Sequence, residues 1–213
     1  MSPADPSGIA DGLDTVTRRD AMKTGVTLAG VLSLGATTSG LTVADFQEVI
    51  ASPGSFDMFL KIDGIDGDST DHRHEGAIDV LAWSWGGANS ASMHLARGGG
   101  AGKATFQDLS VFKHVDSATP ALWLATATGK HFKDARLTLQ KPGGDTHVDM
   151  LVIDLEDLIV TSIEDAGTTT RSQLESITLN FARFKITYTP QAPDGTPLTP
   201  ITAGFDIQKH EAY

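Results

Sequence analysis

The sequence contains no cysteine, which excludes disulfides, thiol catalysis and thiolate metal sites. Positive charge is also scarce, because 16 Lys and Arg residues stand against 27 Asp and Glu residues and give a net charge of −11. Such a chain lacks the basic surface that binding to nucleic acid or to an anionic membrane requires. It also lacks a run of about 20 strongly apolar residues, so we expect no stable membrane insertion. The remaining composition, 40% hydrophobic with 22 glycines, is typical of a turn-rich folded domain.

The N-terminal segment has a composition of its own. It contains Thr17-Arg-Arg-Asp-Ala-Met-Lys23, followed by an uncharged, weakly apolar run over residues 24–43. Paired arginines, here Arg18 and Arg19, before a modest apolar segment are typical of a twin-arginine (Tat) export signal. We therefore predict a signal peptide and linker over residues 1–50 and a folded domain over residues 51–213, in a protein exported to the periplasm or the cell exterior. An ordinary N-terminal helix is the alternative interpretation.

Alternating hydrophobicity dominates from residue 56 onward and predicts strands. The first segment is Met58-Phe-Leu-Lys-Ile-Asp63, and the second is Ile78-Asp-Val-Leu-Ala-Trp-Ser-Trp85. The second segment is apolar on both faces, so we expect a helix or a neighbouring subunit to cover its outer face. Trp83 and Trp85 are the candidate subunit interface, because aromatic side chains are enriched at interfaces. The alternative is that both tryptophans lie under a helix of the same chain.

Further strands and one helix are predicted downstream. The strand segments are 90–95, 104–109, 135–140, 147–155, 158–164, 174–188 and 204–209. A parity slip between Phe181 and Phe184 predicts a bulge or a bend. A helix of about ten residues is predicted after Asp116 or Ser117, either of which could cap it, and Gly129 ends it. Many short strands with one helix favour a mainly β fold, a closed or nearly closed β-barrel.

Four blocks, in order, resemble the Hcp family, the tube proteins of the bacterial type VI secretion system. They are Met58-Phe-Leu-Lys-Ile-Asp-Gly-Ile-Asp-Gly, Ile78-Asp-Val-Leu-Ala-Trp-Ser-Trp-Gly, Phe112-Lys-His-Val-Asp-Ser-Ala-Thr-Pro-Ala-Leu with Ala127-Thr-Gly-Lys-His-Phe, and Ile177-Thr-Leu-Asn-Phe-Ala-Arg-Phe-Lys-Ile-Thr-Tyr-Thr-Pro. The resemblance covers approximately residues 56–209. The N-terminal segment departs from the family pattern, which starts near the first strand.

The resemblance implies a β-barrel of two antiparallel sheets with one short flanking helix, assembled into a homo-hexameric ring. It also implies that rings stack into a secretion tube, with spike and sheath components as partners and small effectors in the lumen. The family has no catalytic residue or cofactor to transfer. Its ring-stacking loop would correspond to residues 64–76 here, with the candidate residues Gly64, Asp66, Asp68, Asp71, His72, His74 and Gly76.

Other patterns hint at chemistry, and each has a plainer interpretation. Asp71-His-Arg-His-Glu75 could offer two histidines to a metal, but a flexible polar loop explains it better. Asp63-Gly-Ile-Asp-Gly-Asp68 lacks the calcium-loop spacing, and residues 97–104 fail the P-loop pattern at both ends. The acidic residues at 156–157 and 164–165 could be imagined as a hydrolase carboxylate pair, but acidic hairpin surfaces are commoner. We therefore expect no enzyme activity and no cofactor or metal.

Two alternative functions stay open. The chain could be a Tat-exported cell-surface or extracellular binding or filament module that uses the Hcp barrel outside a contractile system. It could also be a conventional tube protein whose N-terminal extension is incidental, with Met22 and Met58 as other possible starts.

Overall fold

The structure, a computed structural model, describes residues 56–90, 102–141, 147–167 and 173–213. The predicted export signal with Arg18 and Arg19, the predicted boundary after residue 50 and most of the predicted strand 90–95 lie outside these residues.

Ten strands and one helix form the described part of the chain. In chain order they are β1 (Asp57–Ile62), β2 (Ile78–Ser84), β3 (Gly87–Asn89), β4 (Ala104–Phe106), β5 (Leu109–His114), α1 (Thr119–Thr128), β6 (His131–Lys141), β7 (Val148–Ala166), β8 (Leu174–Tyr188), β9 (Ile201–Asp206) and β10 (Glu211–Ala212).

Six of the strands close into an antiparallel barrel. The hydrogen-bonded order runs β5-β2-β1-β6-β7-β8, and β8 pairs with β5 again to close the circle. Strands β9 and β10 extend the same sheet beyond the C-terminal half of β8. The predicted mainly β barrel with one helix is thus confirmed. In place of the two sheets implied by the family resemblance, the structure has one eight-stranded sheet, six strands of which form the closed barrel. Among the described residues, the second sheet consists of the β3–β4 pair.

Strand β8 joins the barrel to the C-terminal strands, because one of its edges changes partner along its length. Residues 174–179 pair with β5, and residues 183–188 pair with β9. The buried positions of β8 change from odd to even residue numbers between Phe181 and Phe184, which are both buried. The register of β8 nevertheless shows no inserted residue. The predicted bulge is therefore wrong for β8. The register shift lies in its partner β7, between Val160 and Ser162.

The barrel interior is filled by aliphatic side chains in alternating positions. Leu60 and Ile62 of β1, Leu137 of β6 and Leu179 of β8 are fully buried in one contiguous core. Burying each such side chain contributes about 1.5–3 kcal/mol, so the core is the main stabilising element.

Helix α1 packs against β7 and adds Leu122 and Ala125 to the core. It buries Leu122 and Ala125, as their spacing predicts, and Gly129 ends it in a left-handed conformation with φ of 62°. The predicted side-chain cap is wrong, since the N-cap residue is Ala118 and no side chain caps it. The Asp116 carboxylate instead accepts a hydrogen bond from the Ala118 backbone N–H at 3.0 Å.

Three strand predictions need correction. The predicted strand 204–209 is shifted, because β9 runs from Ile201 to Asp206 and residues 207–210 form a turn. Residues 147–155 and 158–164 form one strand, β7, which continues through Asp157 although that residue has a φ of 53°. The segment 104–109 is not one strand, because β4 ends at Phe106 and β5 begins at Leu109.

Candidate functional site

The loop of residues 63–77 between β1 and β2, called the β1–β2 loop below, contains every residue assigned to ring stacking. It is bonded to itself: the Gly67 N–H donates to Gly76 O, and the Ser69 N–H donates to Ala77 O, both at 2.9 Å. A Cβ on Gly67 would lie 2.4 Å from Ala77 O, so only glycine fits this crossing. The loop is therefore a closed, hydrogen-bonded unit and not the flexible segment expected from its composition.

The acidic residues of the loop hold its turns. Asp66 pairs with the Lys61 ammonium at 2.7 Å, and Asp68 accepts the Ser117 N–H at 3.3 Å. Asp71 accepts the N–H groups of Arg73 and His74, and these bonds lower the pKa of its carboxyl. These contacts favour turn and anchoring roles over a calcium loop. Within the described ranges, no three His, Asp or Glu side chains are arranged to hold a metal ion.

The far end of the loop contacts β7. The Arg73 guanidinium donates to His147 O at 2.8 Å and lies 3.3 Å from Asp149 Oδ2. His74 Nε2 lies 3.8 Å from Asp149 Oδ1, and the exposed His72 packs edge-on against His147. The sequence analysis missed His147 and Asp149 because more than 70 residues separate them from the loop.

The two candidate interface tryptophans, Trp83 in β2 and Trp85 just after it, are half-buried against the core of their own chain. Trp85 stands 4.8 Å from the Phe184 ring and packs against Phe106, and its indole N–H donates to Gln107 O at 3.0 Å. Trp85 is thus engaged within the subunit by an aromatic cluster and not by the helix. An interface role for Trp83 and Trp85 stays a prediction.

An exposed apolar surface lies on helix α1 instead. The helix, Thr-Pro-Ala-Leu-Trp-Leu-Ala-Thr-Ala-Thr, carries no charge. Trp123 is 45% exposed and Leu124 is 65% exposed, although a helix that is apolar on all sides is normally covered. The uncharged composition was visible in the sequence and was the signal that could have identified this surface.

A buried ionic cluster lies where β5 meets α1. Lys113 is completely buried and lies 2.7 Å from both the Asp116 and the Glu175 carboxylates. It also donates to His114 O at 2.8 Å and to the Thr119 hydroxyl at 3.2 Å. Burial raises the pKa of the Glu175 carboxyl, and the Lys113 ammonium offsets part of that rise. The cluster ties β5, β8 and the start of α1 together.

The acidic pairs considered for hydrolysis have structural partners. Arg183 contacts Asp157 at 2.6 Å and Glu156 at 3.2 Å, and the Asp157 bond raises the pKa of the guanidinium. Asp165 accepts the Trp123 indole N–H at 3.0 Å. A concavity of about 320 Å³ beside His131, Asp157 and Asn180 is open to solvent, and no serine, threonine, cysteine or lysine is among its lining residues.

No helix in the described part of the chain is long and apolar enough to cross a membrane.

Comparisons with known proteins agree with this architecture. A family model described as "Type VI secretion system effector, Hcp" matches residues 59–188. The chain is 44% identical to "Protein hcp1" of Pseudomonas aeruginosa over 156 residues, which is 72% of this chain and 96% of the relative.

Solved structures show the same fold. One described as "Structure of a type six secretion system protein" has a TM-score of 0.70 and 28% sequence identity. The match covers 74% of this chain and 99% of the solved chain. Hcp1 from Salmonella typhimurium has a TM-score of 0.60 and 31% identity, covering 75% of this chain and 100% of its own.

Proposed function

Because the chain belongs to the Hcp family of type VI secretion, we propose that it is a non-enzymatic assembly protein. In this proposal six copies close into a ring, rings stack into a secretion tube, and small effectors travel in the lumen. Spike and sheath components are the further partners. The mechanism is geometric: one surface joins subunits within a ring, and the β1–β2 loop joins one ring to the next.

The observation that carries the proposal is the uncovered apolar surface of α1. Trp123 and Leu124 together expose two large apolar side chains on a helix without charge. An exposed apolar patch on a folded domain marks an association surface. In a cyclic homo-oligomer, one type of contact covers such a patch on every subunit.

The β1–β2 loop supports the stacking role through its order. Its own backbone hydrogen bonds and its contacts with Lys61, Ser117 and β7 fix its shape. His72 and Glu75 are exposed on it. A preformed loop loses little conformational entropy when it docks, so it suits repeated contacts between rings.

A charge change on the exposed side chains of the loop tests stacking. We expect the double variant His72→Glu with Glu75→Arg to form rings of normal mass but few or no tubes in negative-stain electron microscopy. Neither side chain closes the loop on itself, so the fold should be unchanged. The matched control is Lys133→Glu with Asp134→Arg, an exposed pair on β6. Asp134 contacts the loop through its backbone carbonyl, which both substitutions leave in place. Tubes of normal length in the loop variant would show that another surface stacks the rings.

The route of export is a separate part of the proposal. We propose that Arg18 and Arg19 direct the chain through the twin-arginine pathway. Replacing both by Lys should retain the protein in the cytoplasm, measured by fractionation against an unrelated Tat substrate as a control. Unchanged export would favour delivery by a contractile system alone. Export without any ring would favour the binding or filament module instead.

A further inference from the structure

A second buried layer lies beneath the β1–β2 loop, outside the barrel core. Phe59 of β1 pairs with Thr138 of β6, and Asp57 pairs with Gln140. These residues point away from the face of Leu60 and Leu139, because side chains alternate along a strand. Phe59, Thr138 and Gln140 are nevertheless buried, since the loop covers this outer face of the barrel.

This layer is short of hydrogen bonds. Six buried side-chain polar atoms in the described residues have no hydrogen-bond partner, and five of them belong here. They are Gln140 Nε2 and Oε1, His74 Nε2, His147 Nδ1 and Asp149 Oδ1. Gln140 is completely buried and stands opposite Asp149 in the sheet. Native proteins rarely leave buried polar atoms unpaired, so a cluster of such atoms calls for a specific explanation.

We propose that His74 and Asp149 form a proton-operated latch that holds the β1–β2 loop against β7. The inference rests on the proposed function, because it assigns regulation to the loop that stacks the rings. The His74 ring is already placed: it stacks on Phe59 with centroids 4.3 Å apart and an angle of 14°, and Asp71 holds its backbone N–H.

The remaining gap is small. His74 Nε2 and Asp149 Oδ1 are 3.8 Å apart, which is too far for a hydrogen bond but within the range of an ion pair. A shift of about 1 Å gives the charge-assisted bond that a protonated imidazole makes with a carboxylate. Protonation supplies the charge that strengthens this bond, and it makes Nε2 a donor whichever tautomer the neutral ring has.

The charged and titratable groups around His74 come from several elements. Its own loop contributes the Asp71 carboxylate and the Arg73 guanidinium, and His72 lies at its outer side. Strand β7 contributes Asp149, and His147 lies directly before that strand. Strand β1 contributes the uncharged Phe59 ring and, one row further along, Asp57, while β6 contributes the uncharged Gln140 amide. Arg73 opposes the new charge, but it is already paired with the other oxygen of Asp149.

The sign of the effect follows from the chemistry. A histidine that gains a carboxylate partner on protonation stabilises the closed loop at acidic pH, and this stabilisation is lost as the pH rises. Histidine is the side chain that ordinarily changes charge between pH ~5 and 8, so the latch is tested at the two ends of that range.

Hydrogen exchange on the full chain tests the latch. We expect the backbone amides of His74, Gly76 and Ala77, corrected for intrinsic exchange, to be about threefold better protected at pH 5.5 than at pH 8, the size of a partly exposed ion pair. The protein is kept at a concentration at which light scattering shows no stacked rings. Asp149→Asn retains the His74 stack, and His74→Gln retains the Arg73 pair, and each should abolish the pH dependence. The control His131→Gln, at an exposed histidine of β6, should keep it.

The outcomes separate the latch from the proposed function. Equal protection at both pH values in the wild type, or a pH dependence that survives in both variants, would overturn the latch whatever the protein assembles into. A normal latch in a chain that forms no rings would leave the latch standing and overturn the assembly proposal.

Discussion

Two places in the molecule tie separate elements together with charged side chains, and they are built differently. At the start of α1, Lys113 is completely buried and is bonded to two carboxylates, a hydroxyl and a carbonyl. Under the β1–β2 loop, Arg73 and His74 meet Asp149 at longer distances, and all three side chains are partly exposed. In the first contact the charged groups are buried and nearly all their polar atoms have hydrogen-bond partners, whereas in the second several buried polar atoms have none.

The difference indicates which part of the fold is fixed and which can respond. Breaking a buried ion pair leaves an uncompensated charge in the interior and is costly, whereas a partly exposed pair contributes little. The Lys113 cluster therefore holds the barrel and helix in one arrangement. The loop contact is weak enough for a proton, or a neighbouring ring, to shift it.

The largest expected effect comes from removing the buried ammonium. Lys113→Met keeps the size of the side chain but leaves Glu175 and Asp116 without their partner, so the free energy of unfolding should fall by about 3–5 kcal/mol. Urea denaturation at a fixed protein concentration measures this loss. The control Lys133→Met changes a lysine whose side chain is 83% exposed and should cost less than ~0.5 kcal/mol. Equal losses for the two variants would show that the cluster does not hold the fold.

A smaller effect is expected in the pH dependence of stability. Burial raises the pKa of the Glu175 carboxyl above its ordinary value of 4.5. The folded state therefore binds a proton at Glu175 more tightly than the unfolded state does. The stabilisation from this proton is complete below the unfolded pKa and is lost as the pH rises through the folded pKa.

The contribution of Glu175 to the pH dependence can be isolated by comparing the wild type with a variant that lacks this carboxyl. The free energy of unfolding of the wild type, minus that of Glu175→Gln, should decrease as the pH rises from about 4.5. The exposed Glu164→Gln is the control, and its difference curve should show no such decrease. A difference for Glu175→Gln that rises with pH would mean that the Lys113 ammonium outweighs burial.

The smallest effect is expected at the loop. Arg73→Gln removes a pair whose side chains are 38% and 31% exposed, so the free energy of unfolding should fall by about 0.2–1 kcal/mol. The loss should shrink in 0.5 M salt, because salt screens exposed charges. A loss as large as that of Lys113→Met, unaffected by salt, would remove the distinction between the two contacts.

Local signals in the sequence were enough to predict much of the barrel. Alternation located β1 and β2, and the spacing of Leu122 and Ala125 with Gly129 located the helix. Strand β5 was harder, because its inward row is Leu109, Val111 and Lys113. A lysine in a core position breaks the apolar pattern, and its burial depends on the distant Glu175 as well as on the nearby Asp116.

The interior of the loop could not be predicted from local signals. The composition of residues 63–77 is that of a solvated turn, and its order depends on backbone hydrogen bonds between Gly67, Ser69 and the start of β2. Its contact with Asp149 joins segments 75 residues apart in the sequence, a pairing that periodicity does not report. Likewise, local signals did not predict that Phe106 and Phe184 pack against Trp85.

The central claim is assembly into a ring, and the mass of the purified full chain in solution tests it most directly. Size-exclusion chromatography with light scattering should give a mass near six times that of the 22.4 kDa chain. The variant Leu124→Glu, which places a charge on the exposed apolar surface of α1, should reduce that mass while circular dichroism shows the same β content. A wild-type mass of one chain, at all concentrations, would contradict the account.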